Sequence, residues 1–326
     1  MSLKISHIED SGQSTGRRLN SSARRKRVVP LSYQLAGLGL NLVSYLGNEW
    51  ASDKLSRFWF TVFKGKAKPW IAEFWQQADT RTDVQLGNKS IPVSFWGQGP
   101  LVVVMHGWSG SGVQFRHMIP GLVAAGYRVA VFDAPAHGSN PGGNSHLLEF
   151  SDSLVAIQQQ IGPIETVIAH SLGGMAAVFA SQRGLSVRRM VLLGPHLDLQ
   201  KMYRTYSDLL NLNPRLSARF RHKIGRKMAD IIGIDDVWAL FTPANLLSQS
   251  DYGGLLIYDS QDEEIPQDQF EAVAQSWRGC QVIKTDGLGH RHTLKDEGVI
   301  KSVLAYMRKL PEIDSHGRLQ TLSHLL

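Results

Sequence analysis

The period of the hydrophobic positions changes near residue 81. Before it, apolar residues recur at helical spacing. Leu31, Leu35, Leu38, Leu42 and Leu46 fall three and four residues apart, which places them on one face of a helix, interrupted by Gln34, Asn41 and Ser44. A second amphipathic stretch carries Trp50, Leu55, Phe58, Trp59, Val62 and Phe63. It stops at Lys64-Gly65-Lys66, with Pro69 beyond. The pair is expected to pack on the main domain. The alternative is a membrane-surface helix, since Tyr and Trp flank it and a basic block precedes it.

From residue 81 short apolar runs alternate with helical stretches. Residues 84–86 and 91–96 flank Gly87-Asn88-Lys89-Ser90 and predict a hairpin. Residues 101–105 form a continuous apolar run, as in a strand buried on both faces. Further strands are predicted at 127–132, 166–169, 190–193, 255–258 and 282–284. Helices are predicted at 113–125, 145–161, 172–183 and 293–309. This alternation predicts the α/β class, with a parallel sheet and right-handed crossovers. Between Pro195 and Gly254 lie about sixty residues, far more than one crossover needs. Three helix-like pieces there predict a helical cap at 196–253, inserted into a core formed by 81–195 and 254–310.

The apolar fraction of 43% and charged fraction of 19% exclude disorder over the whole length. Cys280 is the single cysteine, so an intramolecular disulfide and a Cys-clustered zinc site are excluded. No run of 18 apolar residues predicts a membrane span. The net charge of +7 is uneven: residues 1–30 hold seven basic and two acidic groups. They read as a basic, disordered leader, without the small-x-small site of a signal peptide. A peripheral contact with anionic lipid is the use such a charge run suggests, and no nucleic-acid partner is expected. Residues 31–80 then carry the amphipathic helices, and 311–326 a C-terminal tail. These features point to a cytoplasmic protein with peripheral membrane contact.

The strongest chemical signal is Ala169-His170-Ser171-Leu172-Gly173-Gly174, which follows a predicted strand and opens a helix. That is the setting of a nucleophile elbow, where a strained turn lifts a serine Oγ above the sheet. A serine capping an ordinary helix is the simpler alternative. A serine nucleophile needs a base. Gly287-Leu288-Gly289-His290-Arg291-His292 offers two, and His290 directly follows the flexible glycines. The base needs an orienting carboxylate. Asp259, Asp262, Glu263 and Glu264 all lie in the loop after the strand at 255–258, and Asp198 follows an earlier strand. An oxyanion hole is expected at His106-Gly107-Trp108-Ser109-Gly110, with one donor the N–H of Trp108 and the other the N–H of Leu172. His106 is expected to brace its loop, as are Asp133, His137 and Ser139. Trp108, Phe115, Tyr203, Tyr206 and Trp238 suggest an apolar pocket.

These stretches together resemble the α/β-hydrolase superfamily. HGWSG at 106–110, FDAPAHGSN at 132–140, AHSLGG at 169–174, the Asp262 to Pro266 loop and GLGH at 287–290 carry the likeness. Ala136 stands where the similar family loop has glycine, and Ala169 where the elbow commonly has one. The resemblance covers roughly residues 81–310. It implies a mostly parallel sheet of the eight-stranded type and a Ser-His-Asp triad of Ser171, His290 and Asp262, with Asp262 preferred because it stands four residues before Pro266. It also implies hydrolysis of a small-molecule carboxylic ester or thioester through an acyl-enzyme, without metal or organic cofactor. Acyl transfer and cofactor-free haloperoxidase chemistry use the same triad, and a binding protein on a hydrolase scaffold is the non-catalytic alternative.

Overall fold

The computed structural model describes residues 5–7, 31–66, 68–248, 250–308, 312–313 and 319–320. Of the basic leader, only β1 (Ile5–His7) falls within these, and the rest of it lies outside the described residues. Helix α1 (Leu31–Trp59) is broken at Gly47, which leaves the helical region and divides the two amphipathic stretches read from the sequence. Its second half is a packing helix, with Ala51, Leu55 and the following Phe60 buried in the core. Its first half turns most of its leucines outward. A further helix, α2 (Pro69–Gln76), starts at the proline beyond the Lys64-Gly65-Lys66 break, since a proline at the first helical position sacrifices no hydrogen bond.

Strands β2 (Thr80–Leu86) and β3 (Lys89–Trp96) form the predicted hairpin with a tighter turn: Leu86 pairs with Lys89, and Gly87 takes a φ of +58° between them. Then follow β4 (Leu101–Met105), a short 3₁₀ turn at Gly112–Phe115, α3 (Ile119–Ala124) and β5 (Arg128–Phe132). The single helix predicted at 113–125 is therefore two pieces. The second crossover gives α4 (Leu147–Ile161), β6 (Ile164–His170), α5 (Leu172–Ser181) and β7 (Val187–Leu193). Four helices fill the long connection: α6 (Leu199–Leu209), α7 (Pro214–Ile232), α8 (Val237–Leu240) and α9 (Pro243–Leu247). The chain returns through β8 (Gly253–Asp259), α10 (Gln267–Ser276), β9 (Gln281–Thr285), α11 (Gly289–His292) and α12 (Glu297–Arg308). A separate two-stranded pair joins β10 (Glu312–Ile313) to β11 (Leu319–Gln320).

The main sheet runs β1-β9-β8-β7-β6-β4-β5-β3-β2. It is the expected eight strands with β1 added, parallel to β9. Strands β4 to β9 are mutually parallel, and within this sheet β3 runs against them, antiparallel to both of its neighbours, β2 and β5. Successive residues serve opposite layers. Val103, Met105 and Leu192 join the core beneath α4 and α5, while Val102, Val104 and Leu193 join the one beneath α3 and α12. A strand coated on both faces cannot show polar alternation, which is why residues 101–105 read as an unbroken apolar run. Strand β4 pairs with β5 on one side and β6 on the other. The connections on its two sides therefore diverge, which opens a crevice at the carboxyl ends of the strands.

Candidate active site

Ser171 occupies the one-residue turn between β6 and α5, with φ +55° and ψ −125°. A non-glycine residue at positive φ is strained by roughly 1–2 kcal/mol, so packing around it must enforce the turn. It does. The Ser171 N–H donates to Leu193 O at 3.1 Å, and Ser171 O accepts from His196 N at 3.1 Å and from Gly174 N at 2.9 Å. The two glycines after Leu172 are sterically required. A Cβ on Gly173 would lie 2.5 Å from His106 O, and one on Gly174 2.8 Å from Pro195 Cβ. Ser171 makes no side-chain capping bond to α5, so its Oγ is not spent as a helix cap.

The loop after β4 approaches the same point. A Cβ on Gly107 would lie 2.9 Å from Ser171 Cβ. The main-chain N–H groups of Trp108 and Leu172 have no hydrogen-bond acceptor among the described residues. His106 is buried and braces this loop: its Nε2 accepts from Ala134 N at 2.9 Å, which leaves Nδ1–H to donate to Gly107 O at 2.8 Å. The segment after α1 straps it from outside, where Trp108 Nε1 donates to Thr61 O at 3.2 Å and Phe63 N donates to Ser109 Oγ at 3.0 Å. Asp133 ties the neighbouring loop together, accepting from Ser111 Oγ at 2.6 Å, Gly112 N at 2.8 Å and Ser139 N at 3.0 Å. Ala136 has a φ of +64°, a conformation that favours the glycine found there in the family loop it resembles.

His290 lies in α11, a helical turn rather than a flexible glycine loop. Its Nδ1 is 2.7 Å from Asp262 Oδ2, with side chains only 5% and 1% exposed. A carboxylate can only accept here, so Nδ1 carries the hydrogen and Nε2 keeps a lone pair. Asp262 is itself oriented, since its Oδ1 accepts from Glu264 N at 2.8 Å and Ile265 N at 2.9 Å. The alternatives are committed elsewhere. Asp259 accepts from Gln261 N, Leu288 N, Gly289 N and Thr285 Oγ1, all between 2.8 and 3.0 Å. It thereby fixes the turn that carries His290. Asp198 caps α6 through Lys201 N, and His292 is exposed.

Ser171 Oγ and His290 make no hydrogen bond to each other in this arrangement, though the backbone joins their surroundings. Leu193 holds Ser171, and a Cβ on the next residue, Gly194, would lie 3.3 Å from His290 Nδ1. Nucleophile–base contacts commonly tighten only in the complex with substrate.

Three residues contribute in ways the sequence did not assign, Glu264 having stood there only as a candidate orienting acid. His170 Nε2 donates to His290 O at 3.0 Å, and the two rings lie 4.6 Å apart. Glu264 Oε2 sits 3.7 Å from His290 Nε2 while Arg291 Nε, 3.2 Å from Oε1, holds the same carboxylate. Gly194 leaves room for the His290 ring. All three act across loops far apart in sequence. The suggested apolar pocket takes a different form. Phe115 is buried beneath the sheet, and Tyr203, Tyr206 and Trp238 pack among α1, α6 and α7, with the Tyr203 hydroxyl 2.6 Å from Ser217 O. Among the described residues no cluster of three His, Cys, Asp or Glu side chains could hold a metal.

Burial sets the histidine electrostatics. It lowers the His170 pKa to about 3, helped by the neighbouring His290 imidazole. It lowers that of His137 to about 3 as well, with His106 nearby. Both are neutral in the fold but titrate near 6.5 when free. Between those values the unfolded chain binds more protons, so their contribution is complete above pH 6.5 and is lost as pH falls toward 3. The melting temperature is expected to drop steadily from neutral to acid pH, each histidine contributing up to about 1.4 kcal/mol per pH unit. His137→Asn should make the calorimetric slope shallower. A slope equal to wild type would show that His137 does not carry it.

Residues 100–293 match the family model of the alpha/beta hydrolase fold. The chain is similar to a magnesium-chelatase 30 kDa subunit of Rhodobacter capsulatus, 36% identical over 97 residues, and to a pimeloyl-[acyl-carrier protein] methyl ester esterase of Aeromonas hydrophila, 34% identical over 98 residues. These stretches cover 27% and 30% of this chain and 34% and 37% of the relatives, so the chain spans about a third of the length of these two curated relatives. Among solved structures, an esterase from Thermogutta terrifontis superposes with a TM-score of 0.53 at 17% identity, over 70% of this chain and 98% of that one, a likeness of fold.

Proposed function

Because the chain belongs to the α/β-hydrolase fold family, we propose that it is a serine hydrolase cleaving a small-molecule carboxylic ester or thioester through an acyl-enzyme. The observation that carries this reading is Ser171, held at φ +55° between strand and helix with its Oγ left out of the helix cap. In this reading Ser171 Oγ attacks the carbonyl carbon as His290 Nε2 takes its proton. Asp262 keeps Nδ1–H in place and stabilises the imidazolium. The N–H groups of Trp108 and Leu172 receive the negative oxygen of the tetrahedral intermediate. The intermediate collapses as His290 gives the proton to the departing alcohol or thiol. Water then attacks the acyl-enzyme, with His290 again the base, and Ser171 is regenerated. The methyl ester esterase among the relatives supports an ester substrate.

A panel of p-nitrophenyl esters of rising acyl length tests the reaction class. A burst of p-nitrophenol equal to the enzyme concentration is expected where deacylation is slower than acylation. Absence of turnover across the panel, together with no reaction towards an ester-mimicking phosphonate, would contradict the proposal.

A further inference from the structure

The first half of α1 presents its polar side to the protein and its apolar side to solvent. Inward, Gly37 sits so close to the Leu210 carbonyl that a Cβ would collide with it. Asn41 donates to Asn211 O at 2.8 Å and accepts from Asn213 N at 2.9 Å, and Ser44 Oγ accepts from Asn213 Nδ2 at 3.0 Å. Leu40 packs partly on the core. Outward, Leu31, Leu35, Leu38, Leu42 and Tyr45 are 68%, 59%, 57%, 61% and 80% exposed. Their spacing of four and three residues aligns them in one stripe. Trp50 and Tyr33 are exposed as well. The polar anchors fix this orientation, because rotating the stripe inward would break all three asparagine and serine bonds.

Two occupants compete for such a stripe. A second copy would make a coiled coil, but five positions amount to about two heptads, short of the three or four such a pairing needs. Residues 31–48 also carry no charge, so the flanking charges that select a helical partner are missing. Cations border the stripe instead. Arg24, Arg25, Lys26 and Arg27 immediately precede it in sequence. Alongside runs α7, with Arg215, Arg219, Lys223 and Arg226 at helical spacing. Arg219 and Lys223 are bound to Glu49, and Lys223 to Asp53 at 2.5 Å. Arg215 and Arg226 form no ion pair among the described residues and line, with Glu49, Asp53 and Asp230, an open cleft of about 760 Å³ between α7 and the second half of α1, just past the end of the stripe. Leucines with interfacial Tyr and Trp, bordered by basic groups, match an anionic bilayer surface. No described helix is long and apolar enough to cross a membrane, so the helix would lie along the surface.

We propose that the leucine face of α1, with the free arginines of α7, docks this protein on an anionic lipid surface. The full chain is incubated with vesicles of phosphatidylcholine alone or mixed with phosphatidylglycerol, then sedimented, and its mass in solution is measured by light scattering. Binding to the mixed vesicles is expected to be at least about ten-fold stronger than to phosphatidylcholine, and to weaken in high salt. Leu35→Glu with Leu42→Glu should reduce it at least about ten-fold, while melting temperature and turnover of a soluble ester stay as in wild type. Arg215→Glu with Arg226→Glu should remove the preference for phosphatidylglycerol, which keeps the test decisive if the leucine variant fails to fold. A dimer that the leucine substitutions dissociate, without vesicle binding, would assign the face to a second copy and overturn the proposal. Equal binding by wild type and both variants, no binding at all, or binding only after deletion of residues 1–30 would overturn it too. Ser171→Ala should bind vesicles like wild type, so this outcome is separate from that of the proposed hydrolysis.

Discussion

Replacing Ser171 with alanine is expected to lower kcat on any ester the protein turns over by about 10⁴–10⁶, leaving only binding and oxyanion stabilisation. The size follows from the role: without Oγ there is no acyl-enzyme, and His290 has no proton to take. The melting temperature should change little, because the Oγ caps no helix and the turn is held through the main chain of Ser171 to Leu193, Gly174 and His196. That separation of activity from stability distinguishes a nucleophile from a structural serine. A fluorophosphonate probe should label wild type and leave the alanine variant unlabelled. Equal labelling of both would remove Ser171 from the reaction.

Asp262→Asn should cost roughly 10³–10⁴ in kcat at neutral pH with the fold intact. Asparagine preserves the shape and can still accept from Glu264 N and Ile265 N through its carbonyl oxygen. Its amide then turns a donor toward His290 Nδ1, which favours the tautomer with the hydrogen on Nε2 and removes the lone pair the reaction needs. Two neighbours supply the contrast. Asp259→Asn weakens the four bonds that hold the turn before His290, so it should lower the melting temperature by an amount equivalent to roughly 1–3 kcal/mol. Asp198→Asn should be nearly silent, because asparagine caps a helix about as well as aspartate. Full activity in Asp262→Asn, with loss in Asp198→Asn at unchanged stability, would move the orienting acid to Asp198.

Local chemistry made much of the fold legible. Alternating strand and helix periods around Leu101–Met105, the glycines after Ser171 and the Gly87-Asn88 turn are decisions taken over a few residues. Each is enforced by sterics that the residue itself carries: no Cβ at Gly173 against the His106 carbonyl, a positive φ at Gly87. Asp262 and His290 were legible as candidates for a related reason. Residues after a parallel strand emerge at one edge of the sheet, so sequence position already implies spatial neighbourhood.

The choice among the carboxylates was of another kind. Asp259 and Asp262 differ by three positions and no local preference separates them. What separates them is which backbone N–H groups the turn at 285–289 presents to Asp259, a property of β8 and β9 lying side by side. His170 and Glu264 reach His290 only because three loops converge there. The leucine stripe of α1 shows the limit most plainly. Its period determined a helix with one apolar face, and the sequence carried nothing to say which way that face turned. Asn41 and Ser44 could have pointed to water as readily as to the cap. Their partners, Asn211 and Asn213, lie about 170 residues away, and those few hydrogen bonds are what hold the leucines outward. Periodicity is written along the chain, whereas the direction a face takes depends on which distant groups the fold brings to meet it.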